Sequence, residues 1–451
     1  MHETPATQKS AALSASRVNW ILSLFRKSPD AKAFSTNFVW LIADKVTRLL
    51  VALFVSAWVA RYLGPERFGL LAYGLTFVAM FQAISLMGLD NLIVRDVAAD
   101  DSQAHRYLGT ALRLRFCGAA TAYMIMATTA VIFHQDDRLT VAIIALAGLS
   151  IFVQVSDVID LWFQSQVQSR RTVLAKAASY FATAAIKVVM ITSGAGVVAF
   201  AGANALEAGL SAIALYFTYK RFPTKNRWCW DTTTAVSLLR QSWPLLLSGL
   251  SIFLYMRISV ILLRQLAGSA EVGIYTVGTT LSEMWYFIPM ALASSLAPFI
   301  SRKRMEGGDA YKRFLFKIFG FMWYFALLVA ALNILLSSLW VGLLYGPQYQ
   351  KSASVFAIHA LTFVPVCLGV MQSLWLINEG RSKLALYQAL SGAVVAVCLN
   401  LLLTPLYGAH GAAAATVVSQ FAQAFLVNAI IAPDLFRLQV SSLRISWAFK
   451  S

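Results

Sequence analysis

Cysteine is scarce. The 451 residues hold four, Cys117, Cys229, Cys367 and Cys398, with no CxxC or otherwise paired spacing. This excludes a disulfide scaffold and a thiolate metal centre. The five histidines, His2, His105, His134, His359 and His410, are scattered, and no HExxH motif or Cys/His pairing joins them, so no metal site is expected. No Walker sequence, GxSxG elbow or glycine-rich nucleotide loop occurs, so direct use of ATP and serine-nucleophile catalysis have no support. Charge is scarce as well, at 13% of residues where soluble domains carry about a quarter. There is no room for an extramembrane catalytic domain of the kind a membrane glycosyltransferase, polymerase or ligase needs, because the loops on one side are about ten residues or fewer. We therefore expect no enzyme activity and no catalytic residue, and no cofactor beyond a coupling ion, H+ or Na+.

What the sequence has instead is apolar length. It is 59% hydrophobic with a mean hydropathy of +0.67, the composition of a polytopic membrane protein. Apolar runs with short polar breaks give twelve spans, at about 34–60, 68–89, 116–133, 139–163, 173–191, 197–217, 243–263, 272–300, 314–341, 353–377, 384–403 and 411–431. All are expected to be helical, because backbone groups in lipid must be satisfied within the segment and the alternation of a barrel is absent. The boundaries predict a tail over 1–33, a first lobe over 34–219, a linker over 220–241, a second lobe over 242–432 and a tail over 433–451. The segment RVNWILSLFRK in the first tail is too short and interrupted for a secretory signal and suits a short interfacial helix.

The net charge of +17 would point to nucleic acid in a soluble domain, but here its placement matters more. With the amino terminus inside, 28 of the 37 Lys and Arg fall in the tails, the even-numbered connections or the span ends beside them, five on the opposite side, and four deeper within spans. So asymmetric a split sets both termini in the cytoplasm. The four within spans are Lys45, Arg48, Lys187 and Arg257. Carboxylates join them at Asp44 in span one, Asp157 and Asp160 in span four, Glu207 in span six and Glu283 in span eight. A charge at a helix centre costs roughly 2.5–3.5 kcal/mol on insertion scales, so such groups normally face protein or a wet cavity. Asp44 and Arg48, four apart on one face with Lys45 beside them, read either as a snorkelling salt pair or as a charged wall of a transport pathway. Arg257 reads equally as a ligand or as a partner of Glu283. Pro289, Pro298 and Pro365 mark bends or packing kinks, and Trp285, Tyr286, Trp323 and Tyr324 read as packing or as stacking surfaces for sugars.

The second half echoes the first. Arg61-Tyr-Leu-Gly64-Pro-Glu-Arg-Phe-Gly69 joins spans one and two, and Arg264-Gln-Leu-Ala-Gly268-Ser-Ala-Glu-Val-Gly273 joins spans seven and eight, with both glycine pairs 204 residues apart. A six-plus-six repeat with an even number of spans per copy gives two lobes of the same orientation, related by an axis near the membrane normal.

With these motifs in view the chain resembles the polysaccharide and O-antigen flippases of the multidrug/oligosaccharidyl-lipid/polysaccharide (MOP) exporter superfamily. The resemblance rests on Tyr62-Leu-Gly-Pro-Glu-Arg-Phe-Gly69, Gly88-Leu-Asp-Asn-Leu-Ile-Val-Arg-Asp96, Leu344-Tyr-Gly-Pro-Gln-Tyr349 and Leu399-Asn-Leu-Leu-Leu-Thr-Pro-Leu-Tyr-Gly408, running into Ala409-His-Gly-Ala-Ala-Ala-Ala-Thr416. It implies an all-α bundle of twelve transmembrane helices, two six-helix lobes around a central cavity, in a bacterial inner membrane. It also implies transport by alternating access of an undecaprenyl-diphosphate-linked oligosaccharide toward lipopolysaccharide or a similar glycan. Partners would be that lipid, the surrounding membrane lipids and polysaccharide polymerase or assembly proteins, with no nucleic acid. On that implication Lys45, Arg48, Arg257 and Lys187 are candidate ligands of the diphosphate, and Asp44, Glu207, Glu283, Asp157 and Asp160 are candidate coupling or cavity carboxylates. A small-molecule exporter or a peptidoglycan-precursor flippase remains open.

Overall fold

A computed structural model describes the backbone of residues 29–443 except Ser382, and side chains from Thr47 onward except those of Ser248, Glu306 and Ser382. The expected tail and interfacial helix before Pro29, and the side chains of Asp44 and Lys45, lie outside the described residues. The chain divides into two compact units, Met1–Leu53 and Phe54–Ser451. In the first, the described backbone is helical from Pro29. The second holds the elements from Phe54 onward.

Helices account for nearly all of the described residues, and there is no strand among them. Among the described residues ten stretches are long and apolar enough to cross a membrane. Two of these are far too long for one crossing. Thr47–Ala99 and Lys383–Ile431, at 53 and 49 residues, would each run for more than about 70 Å if straight, against a hydrocarbon core of about 30 Å. The first is broken at Gly64 (φ 73°), and its helix stops again after Leu86, where Met87 and Gly88 have φ 54° and 66°; the second is broken at Gly408 (φ 54°). Positive φ costs glycine nothing. At Gly408 the arms fold back, since a Cβ on Gly411 would sit 2.2 Å from the Leu403 carbonyl oxygen. Counting these two stretches twice gives the twelve spans. The others are Ala104–Phe133, Arg138–Ser165, Ser169–Thr192, Val197–Arg221, Thr232–Ala267, Ser269–Met305, Gly308–Tyr345 and Lys351–Asn378.

Three spans are interrupted by a 3-10 turn. Span four tightens to a 3-10 turn at Gln154–Asp157, span eight at Met284–Tyr286 and span ten at Ala360–Thr362. Pro289 and Pro365 follow the last two by three residues, where a missing N–H favours such tightening. Pro298 lies inside the helix Phe287–Glu306.

Lipid is as apolar as leucine, so close fit and buried polar groups must hold the helices together. In the second half Phe319, Met322 and Ala326 of span nine meet Phe363, Cys367 and Met371 of span ten. In the first half Leu89, Ile93 and Val97 meet Leu108, Val158, Phe163 and Leu215. A buried amide network adds direction. Asn428 Nδ2 donates to Gln372 Oε1 at 2.7 Å, Gln388 Nε2 donates to Asn428 Oδ1 at 2.7 Å, and Gln439 Nε2 donates to the Ala424 carbonyl at 2.9 Å. A π-helical turn, Ala422–Leu426, lies beside it.

Two expected boundaries differ. Residues 232–241, polar enough to read as linker, are the first turns of the Thr232–Ala267 helix, started by Asp231, whose carboxylate accepts from the Thr234 amide at 2.9 Å. Pro433–Ser441, expected in a tail, is a helix with Leu435 and Gln439 fully buried.

Candidate transport site

Of the candidate charges, Lys187, Arg257, Asp157, Asp160, Glu207 and Glu283 each lie within ion-pair distance of a group of opposite sign. Arg257 of span seven donates to Glu283 of span eight at 2.8 Å, one residue before the 3-10 turn. The Arg257 side chain keeps 37% of its exposure and that of Glu283 21%, so the pair is neutralised without being sealed. Around it span eight presents Tyr275, Ser282 and Tyr286. The Ser282 hydroxyl and His359 Nδ1 hydrogen-bond at 2.5 Å, and Tyr286 and Thr362 do so at the same distance. The Tyr275 hydroxyl meets Thr416 at 3.0 Å, Thr416 meets Ser259 at 2.9 Å, and Asn400 Nδ2 donates to Ser259 at 3.0 Å. Two sets of polar contacts thus tie span eight to its neighbours, one to span ten and one to spans seven, eleven and twelve, and the Arg257–Glu283 pair joins spans seven and eight separately.

The first half is arranged differently. Lys187 and Glu207 face each other across spans five and six at 3.7 Å, both about a quarter to a third exposed. Asp157 and Asp160 converge on Lys176 of span five, at 2.8 and 2.9 Å. The structure therefore brings Asp157 and Asp160 together, and Lys187 with Glu207, and Arg257 with Glu283, as three separate sets. Arg48 is half-buried on its helix. Of the aromatics, Trp323 is core, its indole donating to the Gln439 carbonyl at 3.1 Å, and Tyr286 packs against the same cluster.

A profile of the family described as "polysaccharide biosynthesis protein" matches residues 58–354, most of the chain. The chain belongs to that family. No curated protein matches it. Among solved structures it is similar to a MATE-family multidrug resistance transporter of the MOP superfamily in an inward-facing conformation, with a TM-score of 0.68, 17% identity and 88% and 96% of the two chains covered. It is similar to the lipid II flippase MurJ in an inward closed conformation, with a TM-score of 0.68, 12% identity and 90% and 91% covered. It is also similar to a MOP superfamily transporter from Pyrococcus furiosus described by the reversed polarity of its binding pocket, with a TM-score of 0.59, 16% identity and 93% and 98% covered. At such identities these matches show the fold, which is that of the MOP superfamily.

Seen as a member of the polysaccharide biosynthesis family, the chain holds two charged contacts that sequence reasoning missed. Arg115, only 1% exposed, is paired with Asp90 of the Gly88–Asp96 motif. The sequence shows Arg115 at the polar edge of a span, where an arginine ordinarily marks topology. Lys176, the partner of both aspartates, likewise reads as a connecting-loop cation, and a separation of 16 residues from Asp160 carries no helical signal. At the other end, Arg264 of span seven donates to Asp137 at 2.9 Å, joining the two halves of the family fold. Burial pushes the Asp137 carboxyl up, but hydrogen bonds from Thr140 and the nearby Arg264 outweigh it and hold the group below the usual carboxylate range.

Proposed function

We propose that the chain is a flippase that carries a polyprenyl-diphosphate-linked oligosaccharide, of O-antigen or similar type, from the cytoplasmic to the periplasmic leaflet of a bacterial inner membrane by alternating access. The family match supports a role in polysaccharide biosynthesis. The observation that carries the reading is Arg257, an arginine within a span whose charge is balanced by Glu283 and whose side chain is still 37% exposed. A planar cation in that position offers a phosphate two parallel hydrogen bonds, and it gains most where water is sparse. Lys45, Arg48 and Lys187 are the further proposed diphosphate ligands. Asp44, Glu207, Glu283, Asp157 and Asp160 are the proposed coupling or cavity carboxylates for H+ or Na+. One charge moved inward through 100 mV supplies roughly 2.3 kcal/mol to the cycle.

Deleting the gene tests the reading. Lipid-linked repeat units made normally but trapped on the cytoplasmic leaflet support it, and failure of unit synthesis or of polymerisation after normal translocation rejects it. The likeness to MurJ favours one rival, a peptidoglycan-precursor flippase, which would use the same diphosphate chemistry. That rival predicts arrest of cell-wall synthesis in the same deletion.

A further inference from the structure

The 204-residue echo in the sequence reappears as a contact. Gly69 and Gly273 are the second glycines of the two copied turns, and each lies against the other copy. A Cβ on Gly69 would stand 1.8 Å from the Ser269 carbonyl oxygen and 2.8 Å from the Gly273 amide nitrogen. A Cβ on Gly273 would stand 2.1 Å from the Pro65 carbonyl oxygen. Pro65 and Ser269 are themselves repeat equivalents, each directly after the first glycine of its turn. The contact is therefore reciprocal: each copy sets its second glycine on the carbonyl that follows the other copy's first. With a C–C bond of about 1.5 Å added, each Cα lies within about 3.6 Å of its oxygen, the spacing of Cα–H···O contacts between closely crossing helices.

Neither Gly69 nor Gly273 has a positive φ. Their backbones are ordinary helix, where alanine would be the better residue by about 1 kcal/mol. Glycine is needed there for approach and not for conformation. The first glycine of the second turn is the opposite case: Gly268 has φ 89°, and a Cβ there would meet nothing within 4 Å.

Around this contact the two halves are joined by bonds that water can replace. Arg61 Nη2 donates to the Leu343 carbonyl at 2.5 Å, Gln348 Nε2 to the Arg61 carbonyl at 2.9 Å, and the Tyr349 hydroxyl to the Ala60 carbonyl at 3.0 Å. Arg264 and Asp137 add the ion pair described above, with both groups partly exposed. A flat backbone contact leaves no side chain to withdraw, so the halves can part and reseat in one register.

We propose that the reciprocal Gly69–Ser269 and Gly273–Pro65 contact is the seat of a gate at the hairpin end, and that the fit of these two glycines sets how long that end stays shut. Only the nature of what passes the gate rests on the flippase reading. Opening is read without cargo, in the full chain in membranes. Cys117, Cys229, Cys367 and Cys398 are replaced by alanine, and Ala60→Cys, at a position buried beneath the Tyr349 bond, reports access to a membrane-impermeant maleimide given from each face separately. Gly69→Ala and Gly273→Ala should each speed labelling from the hairpin face by about tenfold, the mark of a shifted two-state population. Gly342→Ala, at a helical glycine where a Cβ would meet nothing within 4 Å, should leave it unchanged. Unchanged labelling in both Gly69→Ala and Gly273→Ala, at normal protein levels, overturns the proposal. If neither variant reaches the membrane, the contact is a folding requirement and not a gate, which overturns it equally. A negative result here leaves the gene-deletion phenotype untouched, so the two readings fail separately.

Discussion

At the scale of single residues, function turns on which charges are committed to structure and which are offered to a ligand. Arg115 is sealed against Asp90, whereas Arg257 keeps more than a third of its surface. Arg257→Gln should lower export of lipid-linked glycan at least tenfold with normal membrane levels, because Glu283 keeps some exposure of its own and the loss of its partner costs the fold little. Glu283→Gln should keep the protein folded and retain binding of the diphosphate, since it frees the guanidinium. Wild-type export by Arg257→Gln in a deletion strain would remove that residue from the mechanism, and Arg48→Ala is predicted to abolish export in the same assay. Away from the membrane, Asp231 is held at about 2 by hydrogen bonds from Thr233 and Thr234. Its folded value is depressed, so the cap is fully present above the ordinary aspartate range near pH 4 and is lost as pH falls toward 2. Hydrogen exchange over residues 232–235 should be protected at neutral pH in the natural chain and in Asp231→Asn, and lose that protection in Asp231→Ala.

At the scale of elements, the spans were legible because lipid imposes one rule on every segment: enough apolar length, and a helix to satisfy the backbone. The turns were legible for a related reason, since Gly64 and Gly408 are demanded by positive φ. Polar contacts among neutral side chains left no such trace. Asn428, Gln372, Gln388 and Gln439 sit in separate segments, and nothing in their spacing says that they meet. The same network explains why Pro433–Ser441 is docked where composition suggested a free tail. Asn428→Leu strands buried amides on three elements, each worth about 1–3 kcal/mol. It should lower the melting temperature of the detergent-solubilised protein and expose the 433–441 helix to protease, whereas Asn428→Asp at low pH should do so less. An unchanged cleavage pattern in Asn428→Leu would show that the network does not hold that helix.

At the scale of the whole molecule, the fold is that of the MOP superfamily and the family is one of polysaccharide biosynthesis. The copied turns and the motifs around them made both legible in the sequence. Of the charged pairings, that of Arg257 with Glu283 was one of two readings of the sequence; those of Lys187 with Glu207 and of Asp157 and Asp160 with Lys176 were not legible, because partners lie on different spans and the helix register between spans is set by packing. Those pairings put an arginine of the second half, paired with Glu283 of span eight, at the centre of the proposed transport. The direct test is translocation itself. Full-length protein is reconstituted into liposomes whose polyprenyl-diphosphate oligosaccharide starts on one leaflet, and a membrane-impermeant glycosidase follows its arrival on the other. A flippase working through Arg257 predicts transfer by the natural chain that slows at least tenfold in Arg257→Gln; transfer no faster than in protein-free liposomes, with or without an imposed H+ or Na+ gradient, would contradict it.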